Sequence, residues 1–326
     1  MRIVLLTGPG GDAQGWGDMK VTESIREAAE SLGYPTRIAY VADETDFFRL
    51  VDRPDFDIIW SALYHLTPNE KFIGRNMDGT WVADELDVRR IPYIGSDSRT
   101  MKAMIDKFQT HEILAAGGVA VPAHVLLKTG DDVASVTYPA FVKPICESRS
   151  VGISNESVVQ NAEELRRRVA YIEREFDEPA LVEEFLPGAE YTALVLGNGR
   201  TRECLPGLVT VDEKYYGNYR ILRSDLRGVG LTKIGLAGER TDEARRLGDR
   251  AAEAMGCLDN VRIDMRVDTD GRLRIIEVNG IPGLKPHKSW APQIYTLYHA
   301  SLLGEDEDYR RLIGEIVESA RRRYGL

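Results

Sequence analysis

Four polar side chains toward the C-terminal end of this chain stand at spacings that a β-hairpin would gather on one face. They are Arg262 and Asp264 in VRIDMRVD, and Glu277 and Asn279 in RLRIIEVN. Side chains alternate faces along a strand, so Arg262 and Asp264 point one way together, and Glu277 and Asn279 share a face for the same reason. The intervening Thr269-Asp270-Gly271 carries an Asp-Gly turn signal. Oxygen-only ligands suit Mg²⁺, which usually takes one or two carboxylates plus substrate phosphates. The arginine beside them is placed to neutralise a phosphoryl group or a tetrahedral transition state. A surface hairpin with an ordinary Arg–Asp cross-strand pair is an equally good reading of this segment alone.

Other pieces fit the same chemistry. Lys107 lies in MIDKFQT and Lys143 ends the strand-like AFVKP, where a terminal lysine can leave the sheet to meet an anion. ESRSVGIS, at Glu147–Ser154, is a small, polar, glycine-containing turn able to offer backbone N–H groups to phosphate. In VEEFLPGAEYT, a nucleotide base has apolar residues and backbone groups to sit against around Glu183, Glu184, Phe185 and Leu186, with the Glu190 carboxylate at its ribose. Singly, each lysine reads as a solvated surface charge, the turn as a hairpin connection and the glutamates as an edge strand.

The elements that must position these groups fall into three stretches. Strand signals at Arg2–Leu6, Thr36–Val41, Phe56–Leu63 and Ile91–Gly95 alternate with helical ones. Val21, Ile25, Ala28 and Leu32 form a helical face stopped by Gly33, so a parallel sheet with helices on both faces is expected for 1–98. A small α+β lobe follows over 99–187. It starts with one helix carrying Met101, Met104, Ile105 and Phe108 and ending at Gly117-Gly118, and continues through strand-like AHVLL, AFVKP, VGIS and ALVEEFL. Its second helix opens at Asn161, with Glu164 completing a capping-box-like pair. Residues 188–326 read as mostly antiparallel β, with a long helix from Thr241 to Met255 and two closing helices. The last of these buries Leu312, Ile313, Ile316, Val317 and Ala320.

Bulk properties exclude other classes. The 326 residues are 43% apolar and 29% charged, as in ordinary globular proteins of two or three compact domains. A net charge of −10 with scattered basic residues argues against a nucleic-acid or anionic-membrane surface. Met1 runs directly into strand-like RIVLL, too short for a secretory segment, and nothing approaches membrane-spanning length; a cytoplasmic location is expected. Cys146, Cys204 and Cys257 read as buried free thiols, and the five histidines lack zinc-ligand spacing.

The ordered series MIDK, FVKP, SVGIS, VEEFLPGAEYT, DEKYY and RIDMRVDTDG…IIEVNGIPGL resembles the D-alanine–D-alanine ligases of the ATP-grasp superfamily, and DGTWVADELDVRRIPYIGSD extends the likeness into the first lobe. The resemblance implies an ATP-grasp fold and an ATP-dependent carboxylate–amine ligase working through an acyl phosphate. It implies two Mg²⁺ ions, replaceable by Mn²⁺, small amino-acid-like substrates and a homodimer. By the same resemblance, Lys107, Lys143 and the lid residue Lys214 face the phosphates. Glu183, Glu184, Phe185, Leu186 and Glu190 serve adenine and ribose, and Asp264, Glu277 and Asn279 are metal ligands. Arg262, the N–H of Gly283, Tyr215 of the lid and Ser150 fall among the catalytic groups.

Departures from the family pattern lie in amino-acid recognition. Asp18 is the nearest counterpart of a substrate-gripping glutamate. Arg149 stands where the family has a serine, with Ser150 adjacent to fill in; it reads either as an anion binder or as a solvent-exposed side chain. Lys288 or Ser289 takes the place of an acceptor-site serine, and His65 is either a substrate-site residue or a core histidine. These departures bring in a second reading, a ligase of other amino or hydroxy acids in a specialised pathway. A third is a nucleotide-binding relative without ligase activity.

Overall fold

The computed structural model describes residues 1–67, 72–74, 79–226 and 230–326. The chain begins β1 (Ile3–Thr7), α1 (Gly11–Gln14), α2 (Met19–Ser31), β2 (Thr36–Tyr40), α3 (Glu44–Val51), β3 (Ile58–Ser61), α4 (Val82–Arg89) and β4 (Tyr93–Ile94). These strands form one parallel sheet in the order β2-β1-β3-β4. Every residue of β1 is buried, as its unbroken apolar run requires of a strand covered on both faces. Val21, Ile25 and Ala28 of α2 are buried, whereas Leu32 lies past the last helical turn and is exposed.

Next come α5 (Ser98–Ile105), α6 (Lys107–Ala116), β5 (His124–Leu127), β6 (Ala140–Pro144), β7 (Val158–Val159), α7 (Ala162–Phe176) and β8 (Ala180–Glu184). The strands form an antiparallel sheet ordered β5-β8-β6-β7. Two expectations change here. The single helix expected across Met101–Phe108 is broken at Asp106, whose backbone is extended (φ −82°, ψ 100°) and whose carboxylate accepts from Gln109 N at 2.9 Å, capping α6. The break makes Lys107 the first residue of a new helix. VGIS is a turn rather than a strand, because Arg149 and Ser150 both adopt left-handed φ (56° and 58°), which reverses the chain; the strand begins later, at Val158.

The remainder is β9 (Glu190–Leu196), β10 (Glu203–Val211), β11 (Thr232–Leu236), α8 (Thr241–Met255), β12 (Asn260–Val267), β13 (Leu273–Asn279), α9 (Trp290–His299) and α10 (Glu305–Tyr324). An antiparallel sheet runs β11-β10-β9-β12-β13. Its core is continuous with one face of the first sheet: Ile3, Leu5 and Ile25 share a cluster with Ile263, Ile313 and Ile316. The central sheet keeps a core of its own with α7, through Val142, Leu165, Val169 and Ile172. The three cysteines are buried and free. Among the described residues no helix is long and apolar enough to cross a membrane.

Candidate active site

A cleft with an open volume of about 750 Å³ lies between the central and C-terminal sheets, with Lys107, Lys143, Glu183, Glu190, Arg266 and Glu277 in its walls. The hairpin supplies one wall. Its register sets Arg262 opposite Asn279 and Asp264 opposite Glu277, with a bulge after Asp264. Asp264 is almost fully buried and accepts from Arg262 Nε at 2.9 Å and Nη2 at 2.8 Å, a bidentate pair. Thr192 Oγ1, across on β9, donates to it at 2.7 Å, and Asn279 Nδ2 lies 3.3 Å away. The Arg262 guanidinium also stacks 4.9 Å over the Trp290 ring. Burial works to lower its pKa, but Asp264 and then Glu277 outweigh that and raise it.

Lys107 reaches the same wall from α6. Its ammonium donates to the Ile145 and Glu147 carbonyls and pairs with Glu277 at 3.2 Å. Burial disfavours that charge, yet the Glu277 carboxylate more than compensates, so the pKa is raised. Lys143 donates to the Ile276 carbonyl at 3.2 Å and pairs with Glu183 at 2.9 Å. Glu183 also meets His111 Nε2 at 2.5 Å. Burial alone would push the Glu183 carboxyl up; Lys143, followed by His111, brings it down to about 2. Burial lowers the pKa of His111, so the imidazole is neutral near pH 7 and donates from Nε2.

Two N–H groups of the crossing between the sheets are taken within the central lobe: Glu184 N donates to Ala123 O at 2.8 Å and Phe185 N to Pro139 O at 3.3 Å. Glu190 pairs with Arg266 at 3.3 Å. The segment over residues 212–226, a lid by the resemblance, folds over this region. Tyr219 packs edge-on to Phe185 at 5.6 Å and its hydroxyl accepts from Gln160 at 2.9 Å. Gly217 lies so close to Asn155 that a Cβ there would come within 2.3 Å of its side chain. Ile221 and Leu222 are the lid residues that line the cleft. Lys214 and Tyr215 are exposed; Lys214 pairs with Asp212 at 3.0 Å and lies over the Tyr215 ring, so neither faces the cleft.

The loop after β13 meets the N-terminal turn. Leu284 N donates to Trp16 O at 3.0 Å, and a Cβ on Gly283 would come within 2.9 Å of Ser289 Oγ. Only a glycine leaves that approach open, which sets the Gly283 backbone and the Ser289 hydroxyl side by side. Lys288 is exposed. Asp18 is exposed and caps α2, its carboxylate accepting from Val21 N at 3.1 Å. Arg149 does not point into solvent alone: Nη1 meets Asp12 Oδ2 at 2.8 Å and the Asp12 carbonyl at 2.9 Å, joining the central turn to the N-terminal one. Ser150 lines the cleft. His65 is wholly buried, edge-on to Trp81 at 5.3 Å. The loop that carries it runs into residues 68–71 and 75–78, which lie outside the described residues.

Two participants had readable signals. His111 follows Lys107 by four residues on one helix, the spacing of same-face neighbours. Arg266 follows Asp264 by two on one strand, the same alternation that pairs Arg262 with Asp264.

Among the described residues no three His, Cys, Asp or Glu side chains are grouped as a ready-made metal cage. Two carboxylates facing each other across a hairpin, with an amide beside them, fit a hard divalent cation whose other ligands are phosphate oxygens.

Residues 123–298 match the family model described as D-ala D-ala ligase C-terminus. A D-alanine–D-alanine ligase of Chromohalobacter salexigens is 32% identical, over 82% of this chain and 84% of that one. The fold is that of the crystal structure of D-alanine–D-alanine ligase from Bacillus anthracis complexed with ATP (TM-score 0.70, 20% identity, 100% of this chain and 99% of that one). It is also that of the VanG D-Ala:D-Ser ligase from Enterococcus faecalis (TM-score 0.71, 18% identity, 98% and 99%). Two antiparallel sheets gripping a cleft, one bearing buried Lys143 with Lys107 beside it on α6 and the other a carboxylate hairpin, define an ATP-grasp enzyme, an ATP-dependent ligase that forms carbon–nitrogen bonds with the help of a divalent metal ion. The chain belongs to the D-alanine–D-alanine ligase family.

Proposed function

We propose that this enzyme joins two molecules of D-alanine, or of a close analogue, and that residues 1–98, 99–187 and 188–326 act as three units around the cleft. One substrate carboxylate attacks the γ-phosphorus of ATP, releasing ADP and leaving an acyl phosphate. The amine of the second substrate attacks that carbonyl, the carbon–oxygen bond to phosphate breaks, and an amide forms. The observation that carries this reading is the 3.2 Å approach of Lys107, from the helix entering the central sheet, to Glu277 on the far hairpin: cation and candidate metal ligand share one cleft.

Positioning and charge neutralisation are the main demands of such a reaction. Lys107 and Lys143 bind the phosphates; Glu183 fixes Lys143. Glu190 and the crossing from Glu184 to Leu186 hold ribose and base. Asp264, Glu277 and Asn279 hold Mg²⁺, two ions with a nucleotide bound, and Mn²⁺ substitutes. When bound, the ions polarise phosphate oxygens and offset their charge. Arg262 and the Gly283 N–H face the oxyanion of the attacked carbonyl. Ser289, beside Gly283, takes the acceptor carboxylate. The lid, with Lys214 and Tyr215, keeps water from the acyl phosphate.

A second reading keeps the chemistry and changes the amino acid. The Arg149–Asp12 pair and the capping role of Asp18 favour it, since both alter the side from which the first substrate is gripped. Phosphate release measured with D-alanine alone, then with paired amino and hydroxy acids, decides between them. Turnover with D-alanine alone is the expected result; silence with D-alanine and turnover with another pair removes the first reading. Nucleotide binding with no turnover across the panel removes both.

A further inference from the structure

We propose that Arg266 is a positioning residue that fastens the lid to the cleft; the proposal rests on reading that cleft as the ATP site. Arg266 lies on β12, one alternation beyond Asp264, and the register sets it opposite Glu190 on β9. Its guanidinium is buried and donates to three separate segments: Nε to the Leu186 carbonyl of the crossing at 2.6 Å, Nη1 to Glu190 Oε2 at 3.3 Å, and Nη2 to the Arg220 carbonyl of the lid. A rigid planar fork serves three acceptors in different directions, which a lysine ammonium on a flexible stem does not reproduce. The guanidinium does not shed its charge, so its place in a desolvated wall depends on keeping those acceptors.

The geometry gives the contact a purpose. Ile221 and Leu222 follow Arg220 directly, are buried, and line the cleft. Holding the Arg220 carbonyl therefore sets where these two side chains lie. Of the other contacts this segment makes, Tyr219 to Gln160 and Tyr219 to Phe185 are made by side chains nearer the surface, Gly217 lies against Asn155, and Ser224 N donates to the Ile153 carbonyl at 3.4 Å. Releasing Arg220 lets water reach the reaction. Water then adds across the carboxyl–phosphate bond of the intermediate, which breaks to give free acid and inorganic phosphate, and no amide forms.

Two readouts separate this role from a general loss of structure: phosphate released per amide formed, and tryptic cleavage after the exposed lid residues Lys214 and Arg220. In R266M both the KM for ATP and the rate of lid cleavage rise about tenfold, the effect of losing a charge-assisted hydrogen bond, and phosphate exceeds amide. R266K keeps the charge and loses the fork, and falls between R266M and the parent. R274M, which removes the arginine directly across the hairpin from Arg266 but paired with Asp268 rather than with the lid, leaves all three measures unchanged. The proposal is overturned if R266M keeps parental lid cleavage and one phosphate per amide, whatever happens to its melting temperature. Should R266M not fold, R266K decides by the same two measures, with parental values overturning the proposal. A parent enzyme that fails to bind ATP is a different result and sinks the reading of the cleft itself.

Discussion

Replacing Glu183 with glutamine removes the negative charge that holds Lys143 in the cleft, and its cost follows from the structure. The carboxylate is buried, 2.9 Å from Lys143 Nζ and 2.5 Å from His111 Nε2, and its pKa falls from 4.5 to about 2. Each tenfold in proton affinity is about 1.4 kcal/mol, so ionised Glu183 stabilises the fold by about 3 kcal/mol. Removing one partner of a buried pair costs about 3–5 kcal/mol by a separate route, because the other charge is left uncompensated. The two estimates meet near 3. Because the folded pKa lies below the unfolded one, this stabilisation is complete above about pH 4.5 and drains away as pH falls toward 2. The glutamine variant has no such titration. Urea unfolding, followed by tryptophan fluorescence, should show E183Q less stable than the parent by about 3 kcal/mol at pH 7 and by about half that at pH 3. Adding K143M to E183Q should recover part of the loss, since the stranded charge is then gone. A gap under about 1 kcal/mol at pH 7, or one that stays constant into acid, would refute the argument.

Other perturbations test the remaining assignments. R262K loses the fork to Asp264 and the full stack on Trp290; kcat should fall about a hundredfold while the KM for ATP changes little, as read by steady-state kinetics. D18A should lower unfolding stability by about 1 kcal/mol through loss of the α2 cap, with amino-acid KM values unchanged. S289A should raise the KM for the acceptor and K288A should not, in titrations of the second amino acid. Chelation by EDTA should abolish turnover, with Mg²⁺ or Mn²⁺ restoring it; activity that persists in EDTA would exclude Asp264 and Glu277 as working metal ligands.

Much of this was legible in the residues because it depends on short-range rules. The alternation of Arg262 and Asp264, the Asp-Gly turn and the 3.6-residue face of α10 are local properties, and they place the hairpin and last helix closely. What escaped depends on contacts distant in sequence. Asp18 and Gln14 lie in one turn, yet exposed Asp18 ends as a helix cap while buried Gln14 bridges to the backbone of Tyr64 and His65. Nothing in the spacing marks Gln14 out, because its partners Tyr64 and His65 lie in the loop beyond β3, whereas the Asp18 cap on Val21 N is local. The break at Asp106 was hidden differently. Apolar periodicity runs unbroken from Met101 to Phe108, and only the carboxylate's preference for capping Gln109 N turns one helix into two.

Four ion pairs lie in or beside the cleft, Lys107–Glu277, Lys143–Glu183, Arg262–Asp264 and Arg266–Glu190, and the first and third are the ones placed for exchange. Unpaired, any of these buried charges would be costly, so the protein without nucleotide neutralises each one internally. ATP arriving with its divalent ion brings both signs. In the proposed roles, Asp264 and Glu277 would hold the ion, leaving Lys107 for phosphate oxygens and Arg262 for the oxyanion of the attacked carbonyl. A phosphate arriving without the metal would instead have to take Lys107 from its carboxylate. The pairs that hold the crossing and Lys143 need not open. His111 and the Ile276 carbonyl, beside Glu183 and Lys143, and the Leu186 carbonyl, beside Arg266, give them partners that belong to the fold. With those roles, such a cleft would bind the metal–nucleotide complex in preference to either component, and the preference would come from charge pairing already present in the folded chain.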